Sequence, residues 1–293
     1  MSRIQEILKK AEREGSVHRT RPIVTDPPVR ALVDRPPVSR VEPPAVSRVE
    51  PAAPIGFAPP VTPARDRSAD VDARLVAASA PQSIAAEQYR LLRTRIARAE
   101  NGRVFRAIIV TSPNTGDGKS LTASNLALTM AQDPQQRVLL LDADLRRPSI
   151  HQLFGVSETP GLSDILMGGA TIEDALVAVP DQRLTILPSG LIPSQPAELL
   201  GSAGMRRLLD ILRSRFDRIL IDMPPVAPLA DVAIASTMAD GVLMIVRAGV
   251  TPKPAIERAL SGIESGKVLG LVLNDAGGSS GGYEYAGYRY VAG

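Results

Sequence analysis

Thr111-Ser112-Pro113-Asn114-Thr115-Gly116-Asp117-Gly118-Lys119-Ser120, TSPNTGDGKS in one-letter code, directly follows the apolar run Ala107–Val110 and leads into a helix-like segment at 121–131. A strand, a glycine-bearing turn and a helix in that order make an anion site. Gly116 and Gly118 let main-chain N–H groups turn toward one point, and the helix adds the positive end of its dipole. Lys119 would reach the β- and γ-phosphates of a nucleotide, and the Ser120 hydroxyl would ligate Mg2+. The residues expected to line the phosphates are Thr115, Gly116, Asp117, Gly118, Lys119, Ser120 and Leu121. A chance GDGKS in a surface turn is the alternative, and the flanking strand and helix argue against it.

This is a P-loop arrangement with one departure. Pro113 stands where G-x-x-x-x-G-K-[ST] has its leading glycine. Two further stretches support it. In VLLLDADLRRP, Asp142 and Asp144 lie two apart at the end of an apolar run, so both side chains leave a strand in the same direction. In RILIDMPP, Asp222 ends another such run and reads as a Walker B carboxylate that would help hold Mg2+. Ligands of open α/β sheets bind beyond the carboxyl ends of the strands, where all three aspartates fall.

The apolar runs Ile219–Ile221, Val242–Val246 and Val268–Leu273 alternate with helix-like segments at 204–214 and 253–264. Strands apolar on both faces and alternating with helices imply a mostly parallel sheet covered on both sides, an α/β fold. Aromatic residues make up only 3%, so the core must be aliphatic.

The net charge of +3 is unevenly placed, because residues 1–80 hold 13 Lys/Arg against 10 Asp/Glu and the remainder is balanced. A neutral body argues against nucleic acid as a partner. The absence of cysteine excludes disulfides, thiolate catalysis and Cys-based metal sites. No apolar run reaches bilayer length, and the charged N-terminus lacks a secretory core, so a cytoplasmic chain is expected.

Four regions are expected. Residues 1–16 carry a short amphipathic helix, with Ile4, Ile7, Leu8 and Ala11 on one face, as a marginal helix or a docking peptide. Residues 17–80 form a proline-rich linker that holds 12 of the 26 prolines and a tandem octamer, PPVSRVEP then PAVSRVEP. The nucleotide domain spans 81–277. Residues 278–293 form a Gly/Tyr-rich tail with Tyr283, Tyr285, Tyr288 and Tyr290, four of the five tyrosines.

Together TSPNTGDGKS, LLLDADLRRP (139–148) and ILIDMPP (219–225) resemble the bacterial tyrosine kinases, autokinases of capsule and exopolysaccharide assembly. The resemblance covers about 82–293 and extends to PSGLIPSQPAELL (188–200). It departs at Thr115, where proline is common, and at Asp117, where glutamate is common. It implies that Lys119 and Ser120 bind ATP·Mg, that Asp222 supports the metal, and that Asp142 or Asp144 takes the tyrosine proton while the other assists the metal. It also implies that Glu87, Arg90 and Arg93, on one edge of a helix, join copies into a ring. The tail of one copy would then enter its neighbour's site, and the flexible GGSSGG tether would keep its phenols concentrated there. A separate transmembrane activator of the polysaccharide chain-length type would recruit the kinase to the inner face of the plasma membrane.

Two rival readings differ in class. A deviant-Walker ATPase of the partitioning or positioning kind carries an extra lysine five residues before the P-loop lysine, where this chain has Asn114. The other is an ATP-binding scaffold of an export complex, without catalysis.

Overall fold

The computed structural model describes residues 71–100, 102–180, 182–226, 232 and 236–276. The expected helix in residues 1–16, the linker as far as residue 70, and the tyrosine tail lie outside the described residues.

Seven strands form one sheet in the order β3-β4-β2-β5-β1-β6-β7. They are β1 (Ala107–Thr111), β2 (Val138–Asp142), β3 (Val177–Ala178), β4 (Leu184–Leu187), β5 (Arg218–Asp222), β6 (Gly241–Arg247) and β7 (Val268–Asn274). Every pairing is parallel except β3 with β4. The fold is the α/β arrangement expected, and the five apolar runs are strands.

Both faces are covered because each central strand sends alternate side chains to opposite cores. Ala107, Ile109, Leu139 and Leu141 pack on one side with Met205, Leu208 and Leu212 of the helix Ala203–Arg215. Ile108, Val110, Val138 and Leu140 pack on the other with Leu126 and Met130 of the P-loop helix, Lys119–Ala131, and with Ile96 of the helix Ile84–Ala99. Fully buried aliphatic side chains such as Leu140 each contribute about 2 kcal/mol. Truncating one to alanine costs about 2–5 kcal/mol, because the cavity adds to the lost transfer energy.

One expectation needs correction. Residues 71–80, assigned to the linker, are part of the packed body: Leu75 is fully buried, Val76–Ser79 is helical, and the Asp72 N–H donates to the Leu153 carbonyl (2.9 Å). Apolar contact with the P-loop helix outweighs the linker-like composition around it. On the helix Ile84–Ala99, Leu92 and Ile96 face the body, while Ile84 (83% exposed) and Leu91 are turned to solvent. Ala86 and Tyr89 take their place on the packed face.

Register sets up the site. Asp142 of β2 lies opposite Asp222 of β5, and Asp222 lies opposite Val110 of β1, one residue before the P-loop strand ends. The three motifs therefore meet at one edge of the sheet.

Candidate functional site

Gly116 and Gly118 have φ of 88° and 93°, left-handed backbone that glycine adopts without strain. The chain thereby turns its amides inward ahead of Lys119, the first residue of the P-loop helix. Lys119 Nζ lies 2.7 Å from Asp144 Oδ2, 3.3 Å from Asp222 Oδ2 and 3.1 Å from Ser120 Oγ. The Ser120 hydroxyl donates to Asp222 Oδ2 at 2.5 Å. Residues 25 and 103 positions from Lys119 in sequence thus converge on one ammonium.

Burial disfavours a charged Lys119, but the Asp222 and Asp144 carboxylates outweigh it and raise its pKa. Burial also raises Asp222. Asp142 is pushed up to about 7 by burial and by the neighbouring Asp222 charge, against the pull of main-chain N–H groups and Lys119.

The two aspartates of the DAD stretch have different surroundings. Asp142 accepts from the amides of Asp144 (3.2 Å), Ser149 (3.0 Å) and Ile150 (3.0 Å), and so holds the start of the short helix Ile150–Phe154. Asp144 lines the open cleft instead, with Thr115, Gly116, Gly118, Lys119, Ser120 and Leu121. The cleft, about 530 Å³, is also lined by Arg74, Arg146, Arg147 and Gln152.

Asp117, expected among the phosphate residues, lines none of that cleft with its side chain. Its carboxylate is buried, accepting from the Asn114 N–H (2.9 Å) and the Thr251 hydroxyl (2.7 Å). Its carbonyl accepts from Asn274 Nδ2 (2.9 Å). Thr251, just after β6, and Asn274, at the end of β7, therefore brace the loop from two neighbouring strands. Sequence reasoning missed both, although an asparagine ending the apolar run LVLN is a polar group at the ligand edge of the sheet. Further struts join the motifs: the Thr111 hydroxyl donates to the Pro224 carbonyl (2.7 Å), and the Val226 N–H donates to Ser112 O (2.8 Å).

The residues present suit Mg2+. Ser120 and Asp222 offer hard oxygen donors side by side, with Asp144 joined to them through Lys119. Among the described residues no three His, Cys, Asp or Glu side chains form a ready-made metal group.

Glu87, Arg90 and Arg93 do not form one free charged edge. Arg90 Nε pairs with Glu87 (2.7 Å) and its NH2 donates to the Pro81 carbonyl (2.8 Å). Arg93 donates to the Thr129 carbonyl (2.8 Å), near the C-terminal end of the P-loop helix, where a cation complements the dipole.

The chain is similar to known proteins in sequence and in fold. The ParA family, described as NUBPL iron-transfer P-loop NTPase, matches residues 103–275. The tyrosine-protein kinase YwqD of Bacillus subtilis (strain 168) is 36% identical over 212 residues, 72% of this chain and 89% of that protein. The putative tyrosine-protein kinase EpsB of Ralstonia solanacearum is 35% identical over 223 residues, 74% of this chain but 30% of its own length. The kinase domain of Escherichia coli tyrosine kinase ETK superposes with a TM-score of 0.67 at 28% identity, covering 78% of this chain and 87% of that domain.

Proposed function

The chain belongs to the bacterial tyrosine kinases, on a ParA-type P-loop NTPase fold, and on that premise we propose that it is an ATP·Mg-dependent protein-tyrosine autokinase. Its substrates are Tyr283, Tyr285, Tyr288 and Tyr290 on the tail of another copy. The observation that carries this reading is Lys119 held between Asp144 and Asp222 at 2.7 and 3.3 Å, which brings the three nucleotide motifs to one point.

When nucleotide enters, Lys119 exchanges carboxylate partners for β- and γ-phosphate oxygens, and the amides of residues 115–120 cradle the chain of phosphates. Mg2+, held by Ser120 and Asp222, would neutralise charge shared between those phosphates. The tyrosine oxygen attacks the γ-phosphorus as the bond to the β–γ bridging oxygen breaks, ADP leaves, and the phenolic proton passes to a carboxylate. Asp144 suits that last role better than Asp142, because it lines the cleft and meets Lys119, with one main-chain amide on it, while Asp142 is wholly buried with three main-chain amides on its oxygens. A carboxylate is a weak base for a phenol of pKa about 10, but the loose transition state asks little of the nucleophile, so positioning dominates.

The kinase works on exopolysaccharide or capsule synthesis as a homo-oligomer whose Glu87–Arg90 edge meets a neighbouring subunit. Arg90 and Arg93 must exchange internal partners to do so. A transmembrane chain-length activator recruits it from the cytoplasm to the membrane. No helix among the described residues is long and apolar enough to cross a bilayer. The test is mass spectrometry of the full chain incubated with ATP·Mg and the activator's cytosolic segment, beside a chain truncated after Gly282. Phosphate on the four tail tyrosines is the expected result, and an unlabelled tail under those conditions overturns the reading.

A further inference from the structure

Ahead of the helix Ile84–Ala99, residues 72–79 form a strap along the P-loop helix. Its main chain is clamped. Asn125, buried on the P-loop helix, donates from Nδ2 to the Arg74 carbonyl (3.1 Å) and accepts the Ala77 N–H at Oδ1 (3.0 Å). Leu75 is buried between these bonds, and the Asp72 amide is tied to Leu153. A backbone fixed this firmly delivers an exposed, charged side chain of the strap to a defined place.

That side chain is Arg74. It is 68% exposed and lines the same cleft as Thr115, Gly116, Lys119 and Arg147. Its guanidinium engages only Asp72 among the contacts seen, Nε and NH2 lying 2.9 and 2.7 Å from the two carboxylate oxygens. The Asp72 carboxyl is held down to about 2 by those side-chain bonds, so it is ionised at neutral pH. A planar fork already paired with a carboxylate has the geometry that grips a phosphoryl group, which carries more charge. An exposed ion pair of this kind contributes little on its own, so a stronger anion displaces it readily.

We propose that Arg74 is a phosphate-binding residue of this cleft that exchanges Asp72 for a phosphoryl group, from either the terminal phosphate of a nucleotide or a phosphotyrosine. The proposal rests on the P-loop reading of the cleft. Asp72 acts as a built-in competitor, a stand-in anion that holds the fork ready when no phosphate is present.

Opposite signs test it. In the full chain, binding of ADP, of a non-hydrolysable ATP analogue and of phenyl phosphate is measured for Arg74→Ala, Arg74→Lys and Asp72→Asn. Arg74→Ala should weaken the analogue or phenyl phosphate about tenfold while ADP changes little, since loss of a charge-assisted pair has that size. Arg74→Lys should recover part of the loss, and Asp72→Asn should strengthen the same ligand. A change confined to the analogue assigns the nucleotide's terminal phosphate, and one confined to phenyl phosphate assigns phosphotyrosine. If Arg74→Ala and Asp72→Asn move binding in the same direction, or neither moves it, the proposal fails. Lys119→Met separates that failure from a failure of its premise: if this variant still binds the analogue normally, the P-loop reading falls and the Arg74 proposal with it.

Discussion

Lys119 Nζ and Asp144 Oδ2 stand 2.7 Å apart, so the lysine of the first motif is already neutralised by the second before any phosphate arrives. Asp222 lies 3.3 Å away on the other side. Replacing this lysine removes a positive charge that faces both carboxylates and the group that meets the phosphates. Lys119→Met should lower tyrosine labelling by about two orders of magnitude or more, the usual loss when a preorganised donor at the reacting phosphate is removed. Phosphotyrosine blotting of the full chain with ATP·Mg checks it. Labelling within a few-fold of wild type would remove Lys119 from the chemistry.

The buried carboxylate of Asp117 ties the phosphate loop to the end of β6 through Asn114 N–H and the Thr251 hydroxyl. Asp117→Ala leaves both donors without an acceptor and frees the loop, so the KM for ATP should rise about tenfold, the equivalent of one lost buried hydrogen bond to a charged group. Thr251→Val should act in the same direction but less. Because both residues work through one contact, the double variant should resemble Asp117→Ala alone. Additive effects would show that the two side chains act separately.

The legible parts of this molecule were those whose physics is local. Val138–Asp142 and Arg218–Asp222 announce themselves as apolar runs ending in aspartate, and their shared sheet edge follows from parallel order. The loop is readable because Gly116 and Gly118 have a specific conformational purpose. The antiparallel strand β3, two residues long, has no periodicity to detect, and β4 resembles any short buried run. Asn125, Thr251 and Asn274 are ordinary residues in isolation, and only long-range contacts turn them into clamps. Asp142 and Asp144 could not be told apart in sequence, since what separates them is the Ser149 and Ile150 amides that fold back onto Asp142. Arg93 read as part of a surface edge because spacing cannot show that its guanidinium reaches the Thr129 carbonyl.

Asn125 decides whether residues 71–80 stay on the body. Its amide serves Arg74 O, Leu121 O and Ala77 N–H, and the residue is almost wholly buried. Asn125→Ala should therefore destabilise the domain by about 2–3 kcal/mol, because it leaves buried strap groups unsatisfied. Denaturant unfolding measures that cost. Limited proteolysis supplies a second readout: the variant should be cut within 71–80 under native conditions where wild type resists. Equal resistance would mean that Leu75 burial alone holds the strap.

Glu100 and Arg218 join the end of the helix Ile84–Ala99 to the start of β5. The two Arg218 NH groups meet both Glu100 oxygens, one pair at 3.1 Å, while Oε1 also accepts the Phe105 N–H (3.1 Å). Both side chains are about seven-eighths buried, at 14% and 12% exposure. Burial works to raise the Glu100 carboxyl, but Arg218 and the Phe105 amide outweigh it and the net shift is below the ordinary 4.5. A carboxylate depressed in the folded state stabilises above its unfolded pKa, and that contribution is lost as pH falls through the folded value. Glu100→Gln should cost about 2 kcal/mol at pH 7, since it leaves Arg218 without its counter-ion. The gap between variant and wild type should then close as the pH drops from about 5 to about 3, because the variant has no carboxyl left to protonate at this position. Thermal unfolding across that range reads both effects, and two curves that stay parallel would rule out Glu100 as the titrating link.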